Sequence, residues 1–425
     1  MLNADLLILH ASQLVTCASP RGPKRGSAMR EVGLLEDGAI AISGDKILEV
    51  GSTTDVTARY TAKTSLDATG KVVCPGFVDP HTHVVYAGDR VAEFEQRIQG
   101  LSYMEIMAAG GGIVSSARAV RAASVEQLVK ETRPRLESML RLGTTTLEVK
   151  TGYGLDETNE LKLLAVIESL ATSQACTLVP TFLGAHAVPA EYKTTPEKYV
   201  QLVIEKMLPR AADWYGESLF KARGIPFFCD VFCELNAFNL DQSRRILEAA
   251  VALGLGVKIH ADEFTPLGGV TLAVDLKAVS ADHLDATTEV ERVRLANSNT
   301  ICVVLPAVNF HLGSAHFADA RALLDAGCAL ALSTDINPGS APCPSMPLVM
   351  AIASRYQHML PSETLNASTI NAAHAVGLGA KVGSLEPGKQ ADVLLLKTSD
   401  YRHLSYRFGE NLVETVIKNG VIVQE

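Results

Sequence analysis

Residues 72–90 read "VVCPGFVDPHTHVVYAGDR". A β-branched, apolar run passes through Pro75-Gly76 and ends in His81, Thr82 and His83, and Arg90 follows seven residues on. Side chains alternate between the two faces of a strand, so His81 and His83 point the same way. The pattern predicts a buried strand with a pair of inward-facing imidazoles at its end, able to chelate one cation.

Seven more β-prone runs follow: "TTTLEVKT" (144–151), "CTLVPTFLGAH" (176–186), "FFCDVFCE" (227–234), "VKIHADEF" (257–264), "AVSADHLD" (278–285), "TICVVLPA" (300–307) and "CALALSTDIN" (328–337). Most gaps hold amphipathic helical patterns, such as "SVEQLVKETRPRLESMLRLG" with Pro134 inside it, and "NLDQSRRILEAAVALGLG". Near-continuous apolar strands alternating with helices predict a parallel sheet buried on both faces. Eight such units predict an α/β fold, a (β/α)8 TIM-like barrel. An open doubly wound sheet is the alternative, and the absence of G-x-G-x-x-G after the first run counts against it. Residues 1–74 hold shorter β pieces separated by Asn, Asp and Gly turns, which predict a small β-domain. The tail resumes that style in "ADVLLLKT" and "ETVIKNGVIVQ".

The chain has 425 residues, 47% of them hydrophobic, and a formal charge of -9. That charge argues against a nucleic-acid partner held through phosphates. The apolar N-terminus lacks a basic flank and is broken by Asp5, so it reads as strand rather than signal peptide. No run reaches the ~18 apolar residues of a membrane span. Eight cysteines lie singly in apolar segments and read as reduced, buried thiols of a cytoplasmic protein. Cys229 and Cys233 read as core rather than as ligands.

In a parallel barrel the active site lies at the C-terminal ends of the strands. Polar residues collect there: His81 and His83, then His186, His260 with Glu263, His283, and Asp335. Three imidazoles and a carboxylate suit zinc or ferrous iron. His260 and Asp335 are the natural third and fourth ligands beside His81 and His83, with one position left for water, whose pKa the metal would lower. His10, His311, His316, His358, His374 and His403 fall off this pattern and read as structural or exposed.

The strings "PGFVDPHTH", "IHADEF", "STDINPGS" and "GSLEPGKQADVLLL" resemble the amidohydrolase superfamily. Within it, "AGDRVAEFEQRIQGLSYMEIMAAGGGI", "KTGYGLDETNELKLL" and "GAHAVPAEY" resemble the imidazolonepropionases, over the whole length of the chain. The resemblance implies hydrolytic opening of 4-imidazolone-5-propanoate to N-formimidoyl-L-glutamate in histidine degradation. It implies a barrel over 75–377 and a composite β-sandwich from 1–74 and 378–425. The metal ligands would be His81, His83, His260 and Asp335. Substrate contacts would be Arg90, Tyr103, Tyr153, His186, Glu263, Asn337, Gly339 and Ser340. Catalytic roles would fall to Asp335, His283, Glu263 and His186. A homodimer is implied as well.

These roles make chemical sense. Arg90 offers a bidentate fork to a propanoate. Attack on the ring carbonyl creates an oxyanion that needs a donor such as His186 or His283. Asp335 can pass a proton from water to the leaving nitrogen, and Glu263 can orient the ring. One metal is expected, because the fourth run has no lysine to carry a bridging carbamate, although Glu234 stands at its end. Another mononuclear amidohydrolase, such as a nucleobase deaminase, would share the histidines, but a neutral base needs no carboxylate clamp. A non-catalytic scaffold on the same barrel is the third reading, and the complete ligand set speaks against it.

Overall fold

The computed structural model describes residues 1–101, 105–106 and 110–424. Tyr103 lies outside them. Eight strands, Phe77–Asp79, Thr144–Lys150, Thr177–Ala185, Phe228–Cys233, Gly256–Ala261, Ser280–His283, Ile301–Val304 and Leu330–Leu332, pair in chain order. Every pairing is parallel. This is the predicted α/β barrel. The first and eighth strands meet through short-range contacts beyond their ends. His83 N donates to Ile336 O at 3.0 Å. The buried Asp79 carboxylate accepts from Ser333 Oγ, from Thr334 N at 3.2 Å and from Thr334 Oγ1 at 2.5 Å.

The helices between strands start where their sequences supply caps. Ser124 accepts from Gln127 N at the head of Val125–Arg141, which runs through Pro134. Asn239 and Gln242 form a reciprocal capping box at the head of Leu240–Ala252. Both helices turn their apolar stripes, Leu128, Leu136 and Met139 in one and Ile246, Leu247 and Ala250 in the other, onto the sheet.

The run at 72–83 is not one strand. Val72–Pro75 joins a second sheet, Gly76 is the break, and only Phe77–Asp79 enters the barrel. A Cβ on Gly76 would lie 2.3 Å from Thr145 Oγ1, so the crossover between sheets needs glycine there. His81 and His83 therefore sit just past the strand end rather than within it.

Both chain ends build the remaining sheets. One is four-stranded, from Leu2–Ala11, Gly38–Ser43, Lys46–Ser52 and Tyr60–Asp67. The other is six-stranded, with Gln13–Val15, Leu34–Leu35 and Val72–Pro75 beside Val393–Leu396, Val413–Lys418 and Val421–Gln424. Leu6, Ile8, Ile40 and Ile42 from the first sheet share one core with Val73, Leu395 and Ile417 from the second. Alternate residues Val72, Cys74, Leu394 and Leu396 face the other way, into the barrel's core. The period of two in these strands thus glues the second sheet to both neighbours. All eight cysteines are free thiols, seven of them buried. Among the described residues no helix is long and apolar enough to cross a membrane.

Candidate active site

The strand ends bring His81, His83, His186, His260, His283 and Asp335 into one cluster. His81 Nε2 lies 3.2 Å from His83 Nε2, and His83 Nε2 lies 3.4 Å from His260 Nε2. Asp335 Oδ1 is 3.6 Å from His81 Nε2 and 3.4 Å from His83 Nε2. Four donors held about 2.1 Å from a common centre at tetrahedral angles stand about 3.4 Å apart. These four spacings are close to that value, and two overlapping sets, His81 with His83 and His260, and His81 with His283 and Asp335, each hold their donor atoms within 4.8 Å of one another, so the cluster offers the donors a divalent cation needs. Asp335 Oδ1 is also a buried oxygen with no hydrogen-bond partner, and it is aimed into this cluster.

The outer shell supports the same function. His81 Nδ1 donates to Asp282 Oδ2 at 2.6 Å, which leaves the Nε2 lone pair free for a metal. His260 Nδ1 lies 3.0 Å from Asp230 Oδ2, at an angle that misses a good hydrogen bond. Burial, followed by the neighbouring imidazoles and the charge of Lys150, drives His81 and His83 well below the usual imidazole range.

Beneath the histidines the barrel interior holds a buried charge network that sequence reading did not identify. Lys150 Nζ lies 2.6 Å from Asp230, 2.8 Å from Glu148 and 3.7 Å from Asp282. Lys258 Nζ lies 2.9 Å from Glu148 and 3.8 Å from Asp282, and donates to Pro80 O at 2.6 Å. All five side chains are fully buried. Burial opposes the charge on Lys150, but Asp230, Glu148 and Asp282 outweigh it and raise its pKa. Burial likewise pushes Asp230 up, yet His260 and Lys150 together hold it well below the usual range. Two lysines against three carboxylates leave one negative charge, and Asp335 makes two. A divalent cation brings that set to neutrality, which is the condition for burying it at tolerable cost. The sequence signal was a charged residue on alternate positions of otherwise apolar strands: Glu148 and Lys150, then Lys258 and His260.

His186 Nδ1 sits 3.0 Å from Gly152 O. A carbonyl only accepts, so Nδ1 carries the proton and the neutral ring offers a lone pair at Nε2. Burial, then the neighbouring His260, lowers its pKa to about 3. With Nδ1 spent on that carbonyl, the side of the His186 ring left for other partners is an acceptor, not a donor. His283 has its ring centroid 5.4 Å from that of His81, and its Nε2 lies 3.8 Å from Glu263 Oε2. Burial raises Glu263 and Asp335 well above the usual carboxylate range, and a cation beside Asp335 would reverse that shift. Tyr153 is buried with its ring 6.1 Å from that of His83 and 5.4 Å from that of His186.

The Asp335 turn is tied internally. Asn337 Oδ1 accepts from Gly339 N at 2.8 Å and Ser340 N at 2.7 Å, while its Nδ2 donates to Asp335 O at 2.7 Å and to Ser340 Oγ at 3.0 Å. Asn337 therefore shapes the turn rather than facing the cleft with free donors. Arg90 packs on Gly339 so closely that a Cβ there would sit 2.0 Å from Nη1. The Nε and Nη2 edge of Arg90 is held by Glu93 at 2.8 and 2.6 Å, leaving Nη1 towards the turn. Arg97 Nη2 donates to Gly339 O at 2.9 Å and lies 3.0 Å from His311 Nε2. His311, read as structural or exposed, meets Arg97 behind this turn. Glu234 accepts from Leu235 N at 2.8 Å and from the amides of Phe264 and Thr265 at 3.0 and 3.1 Å, so both its oxygens are engaged by backbone, those of the Glu263 loop included.

A model of the amidohydrolase family matches residues 72–423. Curated imidazolonepropionases are similar over full length: that of Chloroflexus aggregans is 57% identical, covering 99% of this chain and 98% of its own. That of Herpetosiphon aurantiacus is 49% identical, covering 100% and 98%. The chain belongs to the imidazolonepropionase family of amidohydrolases. It is a hydrolase of that family with a metal cofactor. Solved structures show the same fold: a zinc-bound adenosine deaminase from Xanthomonas campestris superposes with a TM-score of 0.73 at 22% identity, covering 99% of this chain and 93% of its own. Guanine deaminase of E. coli gives 0.71 at 15%, covering 99% and 98%. At those identities the likeness concerns the fold alone.

Proposed function

We propose that the chain hydrolyses 4-imidazolone-5-propanoate to N-formimidoyl-L-glutamate, a step of histidine degradation, with one divalent cation, zinc or iron, held by His81, His83, His260 and Asp335. The observation that carries this reading is Arg90, seated on Gly339 in the turn that begins at Asp335. A guanidinium on the turn that carries Asp335, with Nη1 outside its pair to Glu93, can recognise a substrate carboxylate. A single cation is supported by the fourth strand, which carries no lysine, by Lys150, which is committed to three carboxylates, and by Glu234, which is committed to amides.

When bound, the cation supplies Lewis acidity to the attacking water and the ring carbonyl. Arg90 binds the propanoate and fixes the ring's depth, with Tyr153 against its flank and Ser340 and Gly339 lining the turn. His186 Nε2 accepts one ring N–H, and Glu263 orients the N–C–N edge. Asp335 takes a proton from the attacking water and delivers it to the ring nitrogen as the C–N bond breaks. His283 donates to the oxygen that gains charge on the former carbonyl. A cytoplasmic homodimer belongs to this reading, supported by the free buried thiols and by the family resemblance.

The test is spectroscopic turnover of 4-imidazolone-5-propanoate by zinc- and iron-loaded protein. Loss of the imidazolone absorbance is expected. No turnover, with ammonia released from guanine or adenosine instead, would overturn the assignment in favour of a deaminase.

A further inference from the structure

Glu160 is a buried carboxyl that the chemistry above does not use. It belongs to the helix Glu157–Ser173, whose cap is already supplied by Asp156 accepting from Asn159 N at 2.8 Å. Glu160 instead sends both oxygens out of the helix into the preceding turn. Oε2 accepts from Gly152 N at 3.0 Å, and Oε1 accepts from Gly154 N at 2.7 Å and Leu155 N at 2.8 Å. That turn carries Tyr153.

The opposite, carbonyl face of the turn is gripped as well. Arg121 Nε donates to Gly154 O at 2.8 Å and Nη2 to Leu155 O at 3.0 Å. His186 Nδ1 donates to Gly152 O at 3.0 Å. The turn leaves no slack. Gly152 has φ +106° and Leu155, which is not glycine, has φ 55°. A Cβ on Gly154 would lie 2.5 Å from Glu160 N, and one on Gly152 would lie 2.9 Å from His186 Nδ1. A carboxylate on the amide face, with a guanidinium and an imidazole on the carbonyl face, holds a strained backbone in one shape.

We infer that Glu160 is a positioning residue for substrate binding: through the 152–155 turn it places Tyr153 and fixes the proton of His186 on Nδ1. A helix-capping role would not require three amides outside the helix. A simple stability role would not place the turn's carbonyl against the one ring that needs a defined tautomer. The inference rests on the assignment of Tyr153 and His186 as substrate contacts, and on neither the identity nor the number of metals.

The experiment is a double-mutant cycle on the metal-loaded full chain, reading KM, kcat and metal content for Glu160→Gln, Tyr153→Phe and the pair. Glutamine keeps the shape but replaces one acceptor with a donor. Glu160→Gln is expected to raise KM about tenfold or more, to change kcat much less, and to leave metal content unchanged. The double variant is expected to lie near the worse single variant, because both act through one turn. Unchanged KM in Glu160→Gln would overturn the positioning role, and so, where both single variants raise KM, would effects that simply multiply in the double variant. Unchanged KM in Tyr153→Phe alone, with KM raised in Glu160→Gln, would refute Tyr153 as a contact and leave Glu160 acting through His186. Should Glu160→Gln not fold, Arg121→Met at the partly exposed face of the turn reads the same backbone, and an unchanged KM there overturns the proposal.

Discussion

Replacing Lys150 by methionine removes one positive charge from the network under the histidines and keeps most of the side-chain volume. Nζ lies within 2.6–2.8 Å of two carboxylates, and all three groups are fully buried. Breaking a buried pair by deleting one partner costs about 3–5 kcal/mol, because the other charge stays buried without compensation. The formal charge of the five-residue network goes from minus one to minus two. Urea unfolding of metal-stripped protein, followed by circular dichroism, measures the loss as a shift of the midpoint. Lys71→Met is the control: Lys71 pairs with Glu414 at the surface, where such pairs are worth about 0–1 kcal/mol. Adding Glu148→Gln to Lys150→Met returns the charge to minus one, so the double variant should recover about 0.5–3 kcal/mol relative to additivity. A loss below about 1 kcal/mol for Lys150→Met, or no recovery in the double variant, would refute the reasoning that the barrel interior is electrically balanced.

Other expectations follow from the same geometry. Asp282→Asn replaces the charged acceptor of His81 Nδ1–H with a neutral amide and should weaken zinc binding about 10–100-fold in a chelator competition. Arg90→Ala should raise KM by about 10- to 150-fold, the equivalent of a charge-assisted hydrogen bond of about 1.5–3 kcal/mol, with a smaller effect on kcat; an unchanged KM would remove the carboxylate clamp. Burial raises the carboxyl of Asp285 to about 7, although Ala318 N donates to it at 2.9 Å. A carboxyl raised in the fold favours the folded state when protonated, so its contribution is present at pH 4 and lost as the pH rises through about 7. Asp285→Asn should therefore gain stability relative to the parent from pH 4 to pH 8, measured as the difference in Tm, and a constant difference would contradict the shift.

The strand-end residues were legible because barrels place chemistry at one end of short apolar strands, and His81, His83, His260 and Asp335 each follow such a run. The Pro75-Gly76 break was present in the same string but looked like part of one strand. Only the pairing of Val72–Pro75 with Val393–Leu396 separates the two pieces. The charge network was harder to read. Asp230, Lys258 and Asp282 each look like a lone polar intruder in an apolar run, and their partnership depends on the register of neighbouring strands, where His260 stands opposite Asp282. Glu160 and Arg121 escaped notice for a related reason. Each lies on a helix with an ordinary surface-like pattern, and only the fold turns them onto the loop between. The hydrogen bonds that tie Asn337 and His186 to the backbone were not legible either, because capacity already spent on backbone cannot be counted from residue type.

The most direct test of the metal centre is anomalous diffraction from crystals of the metal-loaded protein, collected at the zinc and iron edges. The account predicts one peak among His81 Nε2, His83 Nε2, His260 Nε2 and Asp335 Oδ1, about 2.0–2.2 Å from each. Two peaks about 3.5–4 Å apart, or one peak displaced towards Glu148 and Asp282, would contradict it.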